Sequence, residues 1–189
     1  MTSPTVEITL PAWTGEAVNW ERAYTTDEDK MALAVALSRE NVERETGGPF
    51  GAAIFEEATG RLVSVGVNRV VPLTCSVLHG EIVAFMMAQQ TLGSFSLAAE
   101  GLPTHVLATS CEPCAMCLGA TLWSGVKRVI SGATREDAER LGFDEGPVFT
   151  QSFEYLKARG IAFSHGVLRQ QAVDVLEAYR AGAGQVYNA

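Results

Sequence analysis

Basic residues are scarce in this chain of 189 residues: Lys and Arg number 14 against 22 Asp and Glu, giving a net charge of −8 and a pI near 4.9. No run of basic residues occurs; the cations stand singly or in pairs such as Lys127-Arg128. Such a surface repels phosphate backbones and sets nucleic-acid partners at a disadvantage. The first residues, MTSPTVEITLPAW, lack a basic start followed by an apolar run, so no export signal is expected and a cytoplasmic location is. Long apolar runs are also missing. The longest uncharged apolar stretch near the centre, Ala115 to Val126, is too short and too polar to span a bilayer. Cysteine is limited to four, and three of them (Cys111, Cys114, Cys117) fall within seven residues. That crowding suits metal chemistry in a reducing compartment better than a disulfide framework. Neither Pro (7) nor Gly (18) is frequent enough to argue disorder.

What is present is a globular composition, 47% hydrophobic, sized for one compact domain. Residues 1–25 show no periodicity and are expected to form an extended N-terminal arm. Thr26 and Asp29 form a capping pair ahead of helical spacing through Met31, Ala34, Val35, Ser38 and Val42. Gly47-Gly48-Pro49 stops that helix. Gly51–Glu56 and Leu62–Asn68 read as strands joined by a turn at Ala58-Thr59-Gly60. Residues 80–90 are apolar nearly all round, which predicts a helix buried between layers. Strands are expected over Thr104–Thr109, Arg128–Ala133 and Ile161–His165. Helices are expected over Ala115–Trp123, Thr134–Leu141, Phe153–Arg159 and Leu168–Ala181, with 142–152 as a loop. Strands alternating with helices after an opening hairpin predict an α/β protein, a three-layer α/β/α sandwich on a mixed sheet. The organisation is then an arm (1–25), one domain (26–181) and a C-terminal tail (182–189).

Two short patterns carry the chemistry: His79-Gly80-Glu81 and Pro113-Cys114-Ala115-Met116-Cys117. Both are predicted at helix starts, where the helix dipole favours thiolates and two sulfurs converge on one point. One imidazole and two thiolates make a three-ligand zinc site whose fourth position is open to water. The carboxylate two residues after the histidine is placed to carry protons to and from that water. The combined pattern H-x-E…P-C-x-x-C is the signature of zinc deaminases. A closed structural zinc site would need a fourth ligand, for which Cys75 and Cys111 are the candidates; otherwise both read as small buried hydrophobes. His105 and His165 have no spacing partner and read as structural.

From about Gly48 to Gly166 the chain resembles bacterial guanine deaminases of the cytidine-deaminase-like superfamily. The resemblance rests on Gly47-Gly48-Pro49-Phe50-Gly51, Asn68 within G-x-N-x-V, Thr109–Cys114 as TSCEPC, and the loop Gly142-Phe143-Asp144-Glu145. It implies a five-stranded sheet, one zinc per subunit, and a homodimer whose tail crosses to the partner's site. It also implies hydrolysis of guanine to xanthine and ammonia. Carried over by position, Glu81 is the main proton shuttle and Glu145 a second acid. Asn68 bonds the base, Phe50 stacks on it, Trp123 walls the pocket, and Tyr187 caps the partner's site. Gly80 stands where the family has a small alanine or valine; the reading is that it frees space beside the ring for a bulkier substrate group. Ammeline-type triazines are a possible second substrate. Rival readings are a nucleoside deaminase (guanosine or cytidine), a cytosine deaminase, a tRNA adenosine deaminase, and a zinc-stabilised interaction module without catalysis.

Overall fold

The computed structural model describes residues 6–188; positions 1–5 of the expected arm and Ala189 of the expected tail lie outside them. The elements, in order, are α1 (Thr14–Ala17), α2 (Asp27–Glu43), β1 (Gly51–Glu56), β2 (Leu62–Val67), α3 (Gly80–Leu92), β3 (His105–Cys111) and α4 (Ala115–Ser124). They continue with β4 (Arg128–Ala133), α5 (Arg135–Glu139), α6 (Thr150–Ala158), β5 (Ala162–Ser164) and α7 (Arg169–Ala181). The strands form one mixed sheet in the order β2-β1-β3-β4-β5. β1 runs antiparallel to both β2 and β3, whereas β3, β4 and β5 are parallel.

Strand alternation divides the core into two layers. Ala53 and Phe55 of β1, Val106 and Ala108 of β3, and Ile130 of β4 pack against Met31, Ala34 and Leu37 of α2 and Val175 and Leu176 of α7. Their neighbours Ala52, Ile54, Leu107 and Val129 point the other way, onto Ala84, Phe85 and Ala88 of α3, Leu118 of α4 and Leu156 of α6. The three-layer sandwich and five-stranded sheet expected from the sequence are therefore observed. The buried strands leave no polar face for water, and almost every residue of β1 to β4 is buried.

Local signals explain the element ends. The Thr26 side chain accepts the Asp29 amide at 3.0 Å and starts α2. Thr134 and Asp137 form a reciprocal capping box on α5. In the segment ahead of α2, Trp13, Val18 and Tyr24 are buried in the α2-side core, and Tyr24 N–H bonds Gly60 O at 2.8 Å. This stretch is pinned to the domain by aromatic burial, which a search for periodicity does not register.

α3 and α4 lie in the same layer, and each starts at the same edge of the sheet, just beyond the ends of β2 and β3. Crevices outside strand ends are where α/β sheets collect functional side chains.

Candidate active site

His79 is the N-cap of α3 and Cys114 the N-cap of α4, both in extended backbone; Cys117 stands one turn into α4 and is fully buried. The donor atoms of His79, Cys114 and Cys117 lie within 4.8 Å of one another, and Cys114 Sγ is 3.5 Å from His79 Nδ1. Bonds of ~2.3 Å to sulfur and ~2.0 Å to nitrogen in a tetrahedron require S···N edges of roughly 3.5 Å, so the observed spacing fits zinc. The sulfurs share a hydrogen bond that holds the Cys114 thiol down at about 4, as a thiolate, and with burial pushes Cys117 up. Among the described residues no fourth His, Cys, Asp or Glu joins this group. Cys111 turns away to the Thr134 carbonyl at 3.6 Å, and Cys75 remains half-buried and free. The donor set is open, which argues against the closed structural site.

Two carboxylates border it. Glu81, in the first turn of α3, is buried, and the Cys117 thiol donates to its Oε2 at 3.4 Å. Burial, reinforced by the Cys114 thiolate, raises its pKa. Glu145 is equally buried, in the loop after α5. Burial, with the nearby Cys114 and Glu81 charges, pushes its carboxyl up to about 8. The loop is fixed because Glu145 O accepts the Ala115 amide of α4 at 2.9 Å and Asp144 Oδ1 accepts Gly146 N–H at 2.7 Å. A pocket of about 370 Å³ opens here, lined by His79, Cys114, Glu145, Asp144, Ser76 and Asn188 among others.

Asn68 follows β2 and is completely buried. The next residue, Arg69, donates its N–H to Leu78 O at 2.9 Å, which brings Asn68 beside the start of α3. Its Oδ1 accepts Val70 N–H at 3.2 Å, and its Nδ2 has no partner. A buried amide donor without a partner is rare in folded proteins. Phe50 packs edge-on against Phe143 at 5.0 Å, Phe143 against Tyr187 at 5.4 Å, and Tyr187 faces the His79 ring at 6.4 Å. Phe143 and Asn188 also border the site, and the sequence pattern does not mark them as site residues. The quoted Gly-Phe-Asp-Glu loop contained the first, but nothing in a short tail marks the second.

The single chain bears on three of these expectations. Trp123 does not line the pocket of its own chain and is 76% exposed there. Six residues beyond Cys117 on α4, it lies about 240° around the helix and roughly 9 Å along it. Gly80 does not free space beside a substrate ring, because a Cβ there would point at the backbone of β1, 3.3 Å from Phe50 O. Within the single chain, the tail expected to cross to a partner packs over its own chain's site. Asn188 Nδ2 donates to Asp144 O at 2.7 Å, and Asp144 N–H to Asn188 O at 3.1 Å, which brings Tyr187 against the chain's own His79.

Residues 24–133 match the cytidine and deoxycytidylate deaminase zinc-binding region. The chain belongs to this deaminase family. It is 36% identical over 136 residues to the guanine deaminase of Bacillus subtilis, covering 72% of this chain and 83% of that protein. Its fold superposes with a TM-score of 0.90 on a solved structure of guanine deaminase from Nitrosomonas europaea, at 41% identity over 96% of this chain and 99% of that one. A structure of NE0047 in complex with 2,6-diaminopurine gives the same score at 42% identity, covering 97% of each chain. The chain is therefore a zinc-dependent hydrolytic deaminase, for which His79, Cys114 and Cys117 supply a fitting donor set. Among the described residues no helix is long and apolar enough to cross a membrane.

Proposed function

We propose that this deaminase hydrolyses guanine to xanthine and ammonia. The observation that carries the reading is the open His-Cys-Cys centre bordered by two buried carboxylates, Glu81 and Glu145, beside the unpaired Asn68 amide. The likeness to guanine deaminases over nearly the whole chain gives the substrate.

When bound, zinc supplies an acidified water as nucleophile. Glu81 would accept one proton from that water and pass it to the ring nitrogen as the hydroxyl adds to the carbon. It would then carry the second proton, from the added hydroxyl, to the amine, so that the C–N bond breaks with release of ammonia. Its burial favours the protonated state reached midway, so the group can both accept and return a proton. Glu145, whose carboxyl burial pushes up to about 8, would donate a hydrogen bond to the base. Asn68 Nδ2 donates to an acceptor of the purine, and Phe50 and Tyr187 supply aromatic surface on its faces. The tail over the pocket excludes water and favours a free base over a nucleoside. Together with the charge of −8 it also disfavours a tRNA substrate.

The site residues act in a cytoplasmic homodimer in this reading. An open groove in which Gly119 and Leu122 of α4 face Tyr155 of α6, with Trp123 of α4 also exposed, supports the self-association. The deciding experiment is ammonia release from guanine, guanosine, adenine, cytosine, cytidine and ammeline. Guanine as the preferred substrate supports the proposal; preference for a nucleoside or cytosine overturns it. Glu81→Ala should retain zinc and fold while losing ammonia release. Equal inactivity of both proteins across the panel would instead favour the interaction module.

A further inference from the structure

Asn41, in the last turns of α2, is completely buried, and the reaction described above makes no use of it. Its amide nevertheless spans three chain segments. The NH2 group donates to Gly48 O at 2.8 Å and to Asn68 O at 3.0 Å. Its Oδ1 accepts the Thr46 hydroxyl at 2.8 Å, and that hydroxyl accepts the Trp13 indole N–H at 3.0 Å. The Thr46 amide returns to Asn41 O at 2.9 Å. The donor and acceptor ends of Asn41 are thus unambiguous, since two carbonyls face one end and a hydroxyl the other. The junction admits no side chain at Gly47, where a Cβ would fall 1.9 Å from Asn68 O and 2.7 Å from Asn41 Nδ2.

The consequence falls on Asn68. Its backbone N–H bonds Phe50 O at 2.9 Å, its Oδ1 takes Val70 N–H, and its carbonyl takes Asn41. Every hydrogen-bonding group of Asn68 is engaged except Nδ2. Of these anchors, the Asn41 bond is a side-chain one, so a single substitution can remove it without altering the strand.

We infer that Asn41 is a positioning residue for base recognition, holding Asn68 and the Gly47-Gly48 loop in register, with Trp13 and Thr46 as its outer brace. The inference rests on the reading that Asn68 contacts the base. Misplacement of a recognising group by about 1 Å costs on the order of a hundredfold in rate, so a brace of this kind has a measurable role. It also gives the segment ahead of α2 a function, through one indole N–H.

The test is a double-mutant cycle in kcat/KM between Asn41→Asp and Asn68→Ala, with the cycle repeated on the Kd of 8-azaguanine in a Glu81→Gln background. Asn41→Asp places a carboxylate oxygen against two carbonyls and should lower kcat/KM by at least about tenfold, yet by less than about twofold once Asn68 is alanine. Thr46→Val and Trp13→Phe leave both Asn41 amide bonds in place. They should give smaller losses that vanish in the same background, and they carry the cycle if Asn41→Asp does not fold. Losses that multiply with Asn68→Ala in both readouts would show that Asn41 serves the fold alone and overturn the inference. Should guanine prove a poor substrate, the base preferred in the ammonia panel replaces it. That result corrects the substrate proposal, while the coupling still decides the role of Asn41.

Discussion

Asp137→Asn removes one negative charge from a side chain with no solvent exposure, at the junction of α5 and α7. Arg169 donates to both carboxylate oxygens at 2.8 Å, Arg140 adds a bond at 2.6 Å, and the Thr134 amide caps Oδ2 at 2.9 Å. These partners, Arg169 foremost, hold the carboxyl at about 2 instead of its ordinary 3.8. A lowering of this size corresponds to about 2 kcal/mol of stability at neutral pH. Because the folded pKa is the lower one, this stability is complete above pH ~4 and is lost as pH falls towards 2. Breaking a buried pair can cost 3–5 kcal/mol, but the Arg169 and Arg140 side chains are 50% and 63% exposed and recover water, so the smaller figure is expected. The assay is urea unfolding of both zinc-stripped proteins between pH 7 and pH 2, so that ligand protonation cancels. The wild type should lead by about 2 kcal/mol at pH 7, and the gap should close near pH 2. A gap that stayed constant across this range would refute the electrostatic account and leave only the altered capping geometry.

Glu81→Gln should preserve zinc content and melting temperature while lowering kcat by roughly 10²–10⁴-fold; metal analysis beside an ammonia assay tests this, and near-normal turnover would remove Glu81 from the proton path. Glu145 is expected to impose an alkaline limb, with kcat/KM falling as pH rises through about 8 and its hydrogen-bond donor is lost, and Glu145→Gln should flatten that limb. Gly80→Ala should leave the preference among guanine, guanosine and ammeline unchanged and alter stability by no more than about 1 kcal/mol, because the new methyl meets Phe50 O and not the pocket. Treatment with a strong chelator should abolish ammonia release and lower the melting temperature, with recovery on adding zinc; activity that survived verified zinc removal would sink the metal mechanism.

The division between sequence and tertiary structure follows range. The donors were legible because His79 with Glu81, and Cys114 with Cys117, are local patterns whose spacing alone commits them to one helix start each. The layered sheet was legible because apolar alternation and turn residues act over a few positions, and the Thr26 and Thr134 caps lie where short-range hydrogen bonding puts them. What the sequence could not supply was direction and distance. Helix phase carries Trp123 away from the pocket, and the approach of β1 fills the space that glycine at position 80 had suggested was open. Neither is visible until α3 and α4 are packed on the sheet. The Trp13–Thr46–Asn41–Asn68 chain joins positions as far as 55 residues apart through single hydrogen bonds. Such links leave no periodicity to detect, since each depends on where one buried polar atom comes to rest. The sequence by itself determined that a zinc-centred amine hydrolysis is performed on an α/β sandwich. The tertiary structure decided which side chains face the site and how the tail closes it, because burial and hydrogen-bond pairing are properties of the packed chain alone.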